Sequence, residues 1–77
     1  MAISVKYFAN LRELMGRGED TVDYREDLTV ADIWDQVKGE LDESTAYLTA
    51  VNMEYCNIEE KVQDGDEVAF FPKVSGG

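Results

Sequence analysis

Val30, Ile33, Trp34, Val37 and Leu41 recur at i, i+3, i+4, i+7 and i+11, which puts large apolar side chains along one face of a helix. Thr29 precedes them as a good N-cap, and Asp32 follows where an acidic group meets the positive helix end. Each such side chain contributes about 1.5–3 kcal/mol when buried. In a chain of 77 residues this one helix therefore supplies the largest share of the core, and the other elements must cover it. Gly39 marks where the helix stops or frays. The length leaves room for one core only, and domains this small bury roughly 60% of the surface their unfolded chains expose.

The flanking segments read mostly as strands. Residues 3–8 alternate, with Ile3, Val5 and Tyr7 on one side and Ser4 and Lys6 on the other until Phe8. Residues 9–15 form a short helix whose Leu11, Leu14 and Met15 share a face, ended by Gly16 and Gly18. Residues 21–24 are a second strand, with Val22 and Tyr24 pointing the same way. Residues 48–52 and 54–56 read as a strand and its hairpin mate. Val62 precedes the turn signal Asp64-Gly65-Asp66. Residues 67–71 are the last strand, with Val68 and Phe70 on one face, Ala69 and Phe71 on the other, and Pro72 ending it for want of an N–H. Strands gathered around one dominant helix make an α+β layout.

Composition excludes several classes of function. Histidine is absent, which removes the usual general base near neutral pH and the commonest metal ligand. With a single cysteine, Cys56, the chain has no internal disulfide, no four-cysteine iron–sulfur cluster and no Cys-His nucleophile. Independent catalysis is not expected. Seventeen acids against seven bases give a net charge of −10, which repels phosphate backbones and anionic membranes. The acidity serves either solubility and salt adaptation or attraction to a basic protein partner. No apolar run approaches the ~20 residues of a membrane span, and no signal-peptide pattern opens the chain, so a cytoplasmic location is expected.

Some features carry two readings. The acidic run from Asp64 to Glu67 lacks the ligand series of a calcium loop and fits a solvated turn better. The neighbours of Cys56 offer nothing to activate a thiol, which favours a half-buried structural residue over a sulfur acceptor. Tyr7 and Phe8 fall on opposite faces, as do Phe70 and Phe71, so one of each pair lies away from the helix. With Tyr55, these outer aromatics mark an interface, unless a loop or the short first helix covers them. After Pro72 come Lys73, Val74, Ser75, Gly76 and Gly77, enough with Pro72 to reach roughly 20 Å. Two glycines make a thin probe for a narrow channel. The terminal carboxylate, with a pKa of about 3.5, reacts as an acyl group only after activation.

Three stretches together resemble a known family. "DGDEVAFFPKVSGG" (64–77), "YFANLRELMG" (7–16) and "AVN" (50–52) resemble the molybdopterin synthase small subunit, the MoaD family, and the order of elements fits throughout. The resemblance implies a β-grasp, ubiquitin-like fold with a mixed sheet packed on one main helix, over residues 1–71, followed by a flexible tail at 72–77. It implies that Gly77 is adenylated by an E1-like activating enzyme using Mg-ATP and converted by a sulfur donor protein to a covalent thiocarboxylate. No cofactor or metal would be bound permanently. The large synthase subunit would then receive the tail, and the sulfur would build the dithiolene of molybdopterin from cyclic pyranopterin monophosphate, in a heterotetramer of two small and two large subunits. By position, Phe8, Arg12, Tyr55 and Phe71 would meet partners, with Pro72, Lys73, Val74, Ser75, Gly76 and Gly77 entering the active site. Lys73 departs from the family, which often has a second proline there. The alternatives are a related carrier for thiamine or another sulfur pathway, a protein-conjugating modifier acting through Gly77, and an interaction domain with inert glycines.

Overall fold

The computed structural model describes residues 2–39 and 47–72; Leu41 and the terminal residues Lys73, Val74, Ser75, Gly76 and Gly77 lie outside them. The elements follow the order β1 (Ala2–Tyr7), α1 (Ala9–Met15), β2 (Glu19–Asp23), α2 (Val30–Val37), β3 (Tyr47–Val51), β4 (Glu54–Cys56) and β5 (Glu67–Pro72). Among the described residues one sheet forms, in the order β2-β1-β5-β3-β4. The first and last strands run parallel at its centre, and every other pair is antiparallel. The expected mixed sheet on one main helix is borne out.

Alternation decides which face is core. Ile3, Val5 and Tyr7 of β1, Val22 of β2, and Val68 and Phe70 of β5 are buried, and they meet Val30, Ile33, Trp34 and Val37 of α2. Phe70 is fully buried, with its ring 5.0 Å from Trp34, 5.6 Å from Tyr47 and 6.2 Å from Tyr7 between centroids. Leu28 and Val62 join this core from loops flanking the helix.

Helix α2 starts as its sequence demands. The Thr29 hydroxyl accepts the Asp32 N–H at 3.2 Å, and the Asp32 carboxylate accepts the Thr29 N–H at 3.1 Å, closing a capping box. The next free donors are satisfied by the chain before β5: Val30 N–H reaches the Glu60 carbonyl at 3.0 Å and Ala31 N–H the Ile58 carbonyl at 2.8 Å. The bonds from Thr29, with Arg25 nearby, hold the Asp32 carboxyl below its ordinary value. Losing such a cap costs about 1 kcal/mol. The helix ends at Val37, with Lys38 as its cap and Gly39 in the left-handed region at φ 59°, where only glycine is comfortable.

Arg17 locks the first half of the chain to this helix end. Its guanidinium pairs with Asp20, donates to the Met15 carbonyl at 3.2 Å and the Val37 carbonyl at 3.0 Å, and lies 5.7 Å from the Tyr7 ring centroid. The Tyr7 hydroxyl donates to Asp20 at 3.3 Å. Burial, reinforced by the Asp20 charge, pushes the Tyr7 phenol up to about 12 from 10. A raised phenol favours the neutral form in the folded state, so its contribution is complete below pH 10 and is lost as pH rises toward 12. At about 1.4 kcal/mol per unit, the loss is roughly 2–3 kcal/mol. Denaturant titrations across this window are expected to show that steep alkaline loss in the native chain and a flatter one in Tyr7→Phe. Equal slopes would show that Tyr7 does not carry it.

Several element boundaries differ from the sequence reading: β1 begins at Ala2, β3 runs from Tyr47 to Val51 rather than over 48–52, and β5 keeps Pro72, opposite Tyr47, which the sequence reading assigned to the tail. Phe8 is not a strand residue: its carbonyl already accepts from Leu11 N–H (3.1 Å) and Arg12 N–H (3.4 Å), so the chain has turned into α1. Strand β2 begins at Glu19 rather than residue 21, because pairing runs from Lys6↔Glu19 to Ala2↔Asp23; Tyr24 leaves the strand but still packs on the core.

Candidate functional site

The helix covers one face of the sheet, and the other face gathers the aromatics that the core rejects. Pairing places Leu48 beside Phe71 and Ala50 beside both Ala69 and Tyr55, all on that open face. Phe8 reaches it from the entry to α1. Its extended backbone (φ −125°, ψ 154°) and the bond from its N–H to the Phe70 carbonyl at 3.2 Å swing its ring over the end of β5. Ala9 follows at φ 52°, a left-handed conformation that a non-glycine residue adopts at some cost.

The rings of Phe8 and Phe71 stack at 4.8 Å with 8° between their planes, and Tyr55 tilts against Phe71 at 5.9 Å. Phe8 remains 42% exposed and Tyr55 74%, so neither a loop nor α1 covers them. With Lys6, Ala50, Met53, Glu67 and Ala69 they line an open groove of about 380 Å³. Lys6 and Glu67 stand 3.8 Å apart, both well exposed, a pair worth little to stability. The lining is mostly apolar and aromatic, with Lys6 and Glu67 as its charged groups. It offers rigid, exposed aromatic area with polar groups at its rim, the composition expected of a surface that meets a partner.

Phe8, Tyr55 and Phe71, singled out from the sequence, thus form one cluster. Arg12 stands apart from it, in an adjoining depression shared with Lys6, Phe8 and Glu19. There its side chain lies over Gly18, where an added Cβ would sit 3.0 Å from its Nε, so the missing side chain leaves room for the guanidinium. Pro72 ends β5 opposite Tyr47 and is the last residue described. Lys73, Val74, Ser75, Gly76 and Gly77, the remaining candidates, lie outside the described residues.

Sequence reasoning missed Leu48, Met53 and Lys6. Leu48 follows from its two-residue offset to Ala50, and Met53 from the two-residue link between β3 and β4. The "AVN" stretch has a structural explanation. Asn52 donates its backbone N–H to the Glu67 carbonyl at 2.8 Å, accepts the Glu67 N–H on its side-chain oxygen at 3.0 Å, and donates from Nδ2 to Asp66 at 3.0 Å. It clasps the hairpin to the start of β5. Asp66 also accepts the Gln63 N–H at 2.8 Å, so its carboxylate is committed to the turn. Cys56 is half-buried against the core, its Sγ 3.6 Å from the Thr49 hydroxyl.

A family model described as the ThiS family matches residues 5–77, which includes every residue of the aromatic cluster and the terminal glycines. The chain belongs to the ThiS family. Among its relatives is the molybdopterin synthase sulfur carrier subunit of Escherichia coli (strain K12), 37% identical over 97% of this chain and 99% of that protein. The subunit of the same name from Chlamydomonas reinhardtii is 36% identical over the whole of both chains. The crystal structure of SAMP1, a small archaeal modifier protein, from Haloferax volcanii superposes with a TM-score of 0.78, at 32% identity and full coverage of both chains. The resemblance drawn from residues 7–16, 50–52 and 64–77 is borne out, and so is the β-grasp fold. Among the described residues, no helix is long and apolar enough to cross a membrane.

Proposed function

We propose that this ThiS-family chain is the sulfur-carrying subunit of a molybdopterin synthase. The observation that carries the reading is the exposed aromatic cluster around β5, the strand after which the sequence continues through Lys73, Val74 and Ser75 to Gly76-Gly77. A carrier needs both parts: a rigid surface that fixes it on a partner, and a terminus that reaches the partner's chemistry. The relatives in Escherichia coli and Chlamydomonas reinhardtii bear the name of that subunit over nearly their full lengths.

In the proposed cycle an E1-like enzyme joins the Gly77 carboxylate to AMP from Mg-ATP, releasing pyrophosphate. The terminal sulfur of a persulfide on a sulfur donor protein then displaces AMP, and a thiol reductant cleaves the resulting acyl disulfide to leave a thiocarboxylate. The large synthase subunit binds the aromatic face, takes residues 73–77 into its active site, and passes the sulfur to cyclic pyranopterin monophosphate. Two small and two large subunits make up the assembly, in the cytoplasm. Histidine is absent from this chain, which fits chemistry completed by partners.

The likeness to a small archaeal modifier protein raises a second reading, conjugation of Gly77 to lysines of other proteins, which the curated relatives do not favour. Intact-mass spectrometry after incubation with the activating enzyme, ATP, the sulfur donor and a cell extract separates the two. The carrier reading expects a mass gain equal to sulfur replacing one oxygen. High-mass lysine adducts without that species would establish conjugation instead.

A further inference from the structure

Asn52 and Met53 form the whole link between β3 and β4, and both take positive φ, 50° and 71°. A two-residue hairpin turn of this kind favours Asn at its first position and Gly at its second. Asn52 fits, and its clasp on Asp66 and Glu67 explains its place. Met53 does not fit: a long side chain stands where glycine is comfortable. Nor does the fold use that side chain, because Met53 is 89% exposed. It lies instead along the open groove, beside Tyr55 and continuous with Phe8 and Phe71. A strained residue that the core does not employ, set at the rim of a docking face, points to a role in contact.

We propose that Met53 is a specificity-determining contact of this face, extending it beyond the three aromatics onto an apolar surface of the large synthase subunit. The inference rests on the carrier reading above, which supplies that partner. A long apolar side chain suits the position, since it carries buriable surface beyond the aromatics toward a partner. The cost of the turn is carried by the free chain, and the contact is gained only in the complex. Fold stability and partner affinity should therefore move in opposite directions when the side chain is removed.

The test measures binding of the full-length chain to the large synthase subunit by titration calorimetry, alongside thermal unfolding of the free chain. Met53→Gly is expected to raise the unfolding midpoint and to weaken binding roughly tenfold, about 1.4 kcal/mol. Met53→Leu is expected to restore affinity to within about twofold of the native chain, because apolar volume is the property required. Tyr55→Ala serves as the control for the face as a whole and is expected to weaken binding. If Tyr55→Ala weakens binding and Met53→Gly does not, the role of Met53 is overturned and the docking face stands. If neither variant has an effect, or the native chain does not bind, the carrier reading of the face falls with it. A lower unfolding midpoint in Met53→Gly would also overturn the inference, since the turn would then not be strained.

Discussion

Deletion of Gly77 is expected to reduce formation of the terminal thiocarboxylate by at least about 100-fold while leaving thermal unfolding unchanged. The described core is complete without it, since β5 ends at Pro72 and the buried residues run from Ile3 to Phe70. The shortened chain still ends in a glycine carboxylate with a pKa of about 3.5. Its reactivity as an isolated group is the same. What changes is reach: one residue fewer withdraws the carboxylate by roughly 3.3–3.6 Å. A misplacement of ~1 Å at a reacting centre already costs on the order of 100-fold. Intact-mass spectrometry reads the product, and circular dichroism melting reads the fold. Thiocarboxylate formed at the native rate on the shortened chain would show that the terminus is not the site.

The parts legible in the sequence are those where local periodicity and tertiary demand agree. The stripe Val30, Ile33, Trp34 and Val37 specified α2 and its buried face, because all four positions answer to the same core. The alternation Val68, Ala69, Phe70, Phe71 specified both faces of β5 and therefore the place of Ala69 and Phe71 on the open face. Boundaries were less legible. An aromatic at position 8 suits a strand, yet the backbone there has already begun closing a helical turn. Glu19 and Asp20 carry no apolar signal, because β2 is an edge strand whose extent is dictated by pairing with β1.

Isolated apolar residues in loops were illegible for another reason. Leu28 and Val62 have no periodic neighbours, and their burial comes from the Val62 N–H bond to the Leu28 carbonyl at 2.9 Å, a contact between distant segments. The same holds for Arg17, whose bond to Val37 crosses the molecule. Of the site, the aromatics were readable by exclusion from the core. Met53 was not, because nothing in a sequence marks a methionine as sitting where glycine is preferred until the turn is known.

Phe70 and Phe71 are adjacent, identical in chemistry and opposite in role, and substituting each by alanine should separate the fold from the function. Phe70 has no exposed surface and contacts Tyr7, Trp34 and Tyr47. Its truncation leaves a cavity at the centre of the core and costs roughly 3–5 kcal/mol. For a chain of this size the total stability is on the order of 4–12 kcal/mol. Phe70→Ala is thus expected to lower the unfolding midpoint by about 12 °C or more. Phe71 lies on the far face, stacked on the exposed ring of Phe8. Losing that pair costs the free chain about 0.5–1.5 kcal/mol. At the centre of a docking face the same side chain is worth about 2 kcal/mol or more to a complex, roughly 30-fold in affinity. Phe71→Ala is therefore expected to remain folded and to lose the large synthase subunit, whereas the folded fraction of Phe70→Ala retains it. Calorimetric titration of each variant below its melting temperature reads the crossing. A Phe71→Ala chain that binds as the native one does would remove β5 from the interface and leave the aromatic face without the role assigned to it.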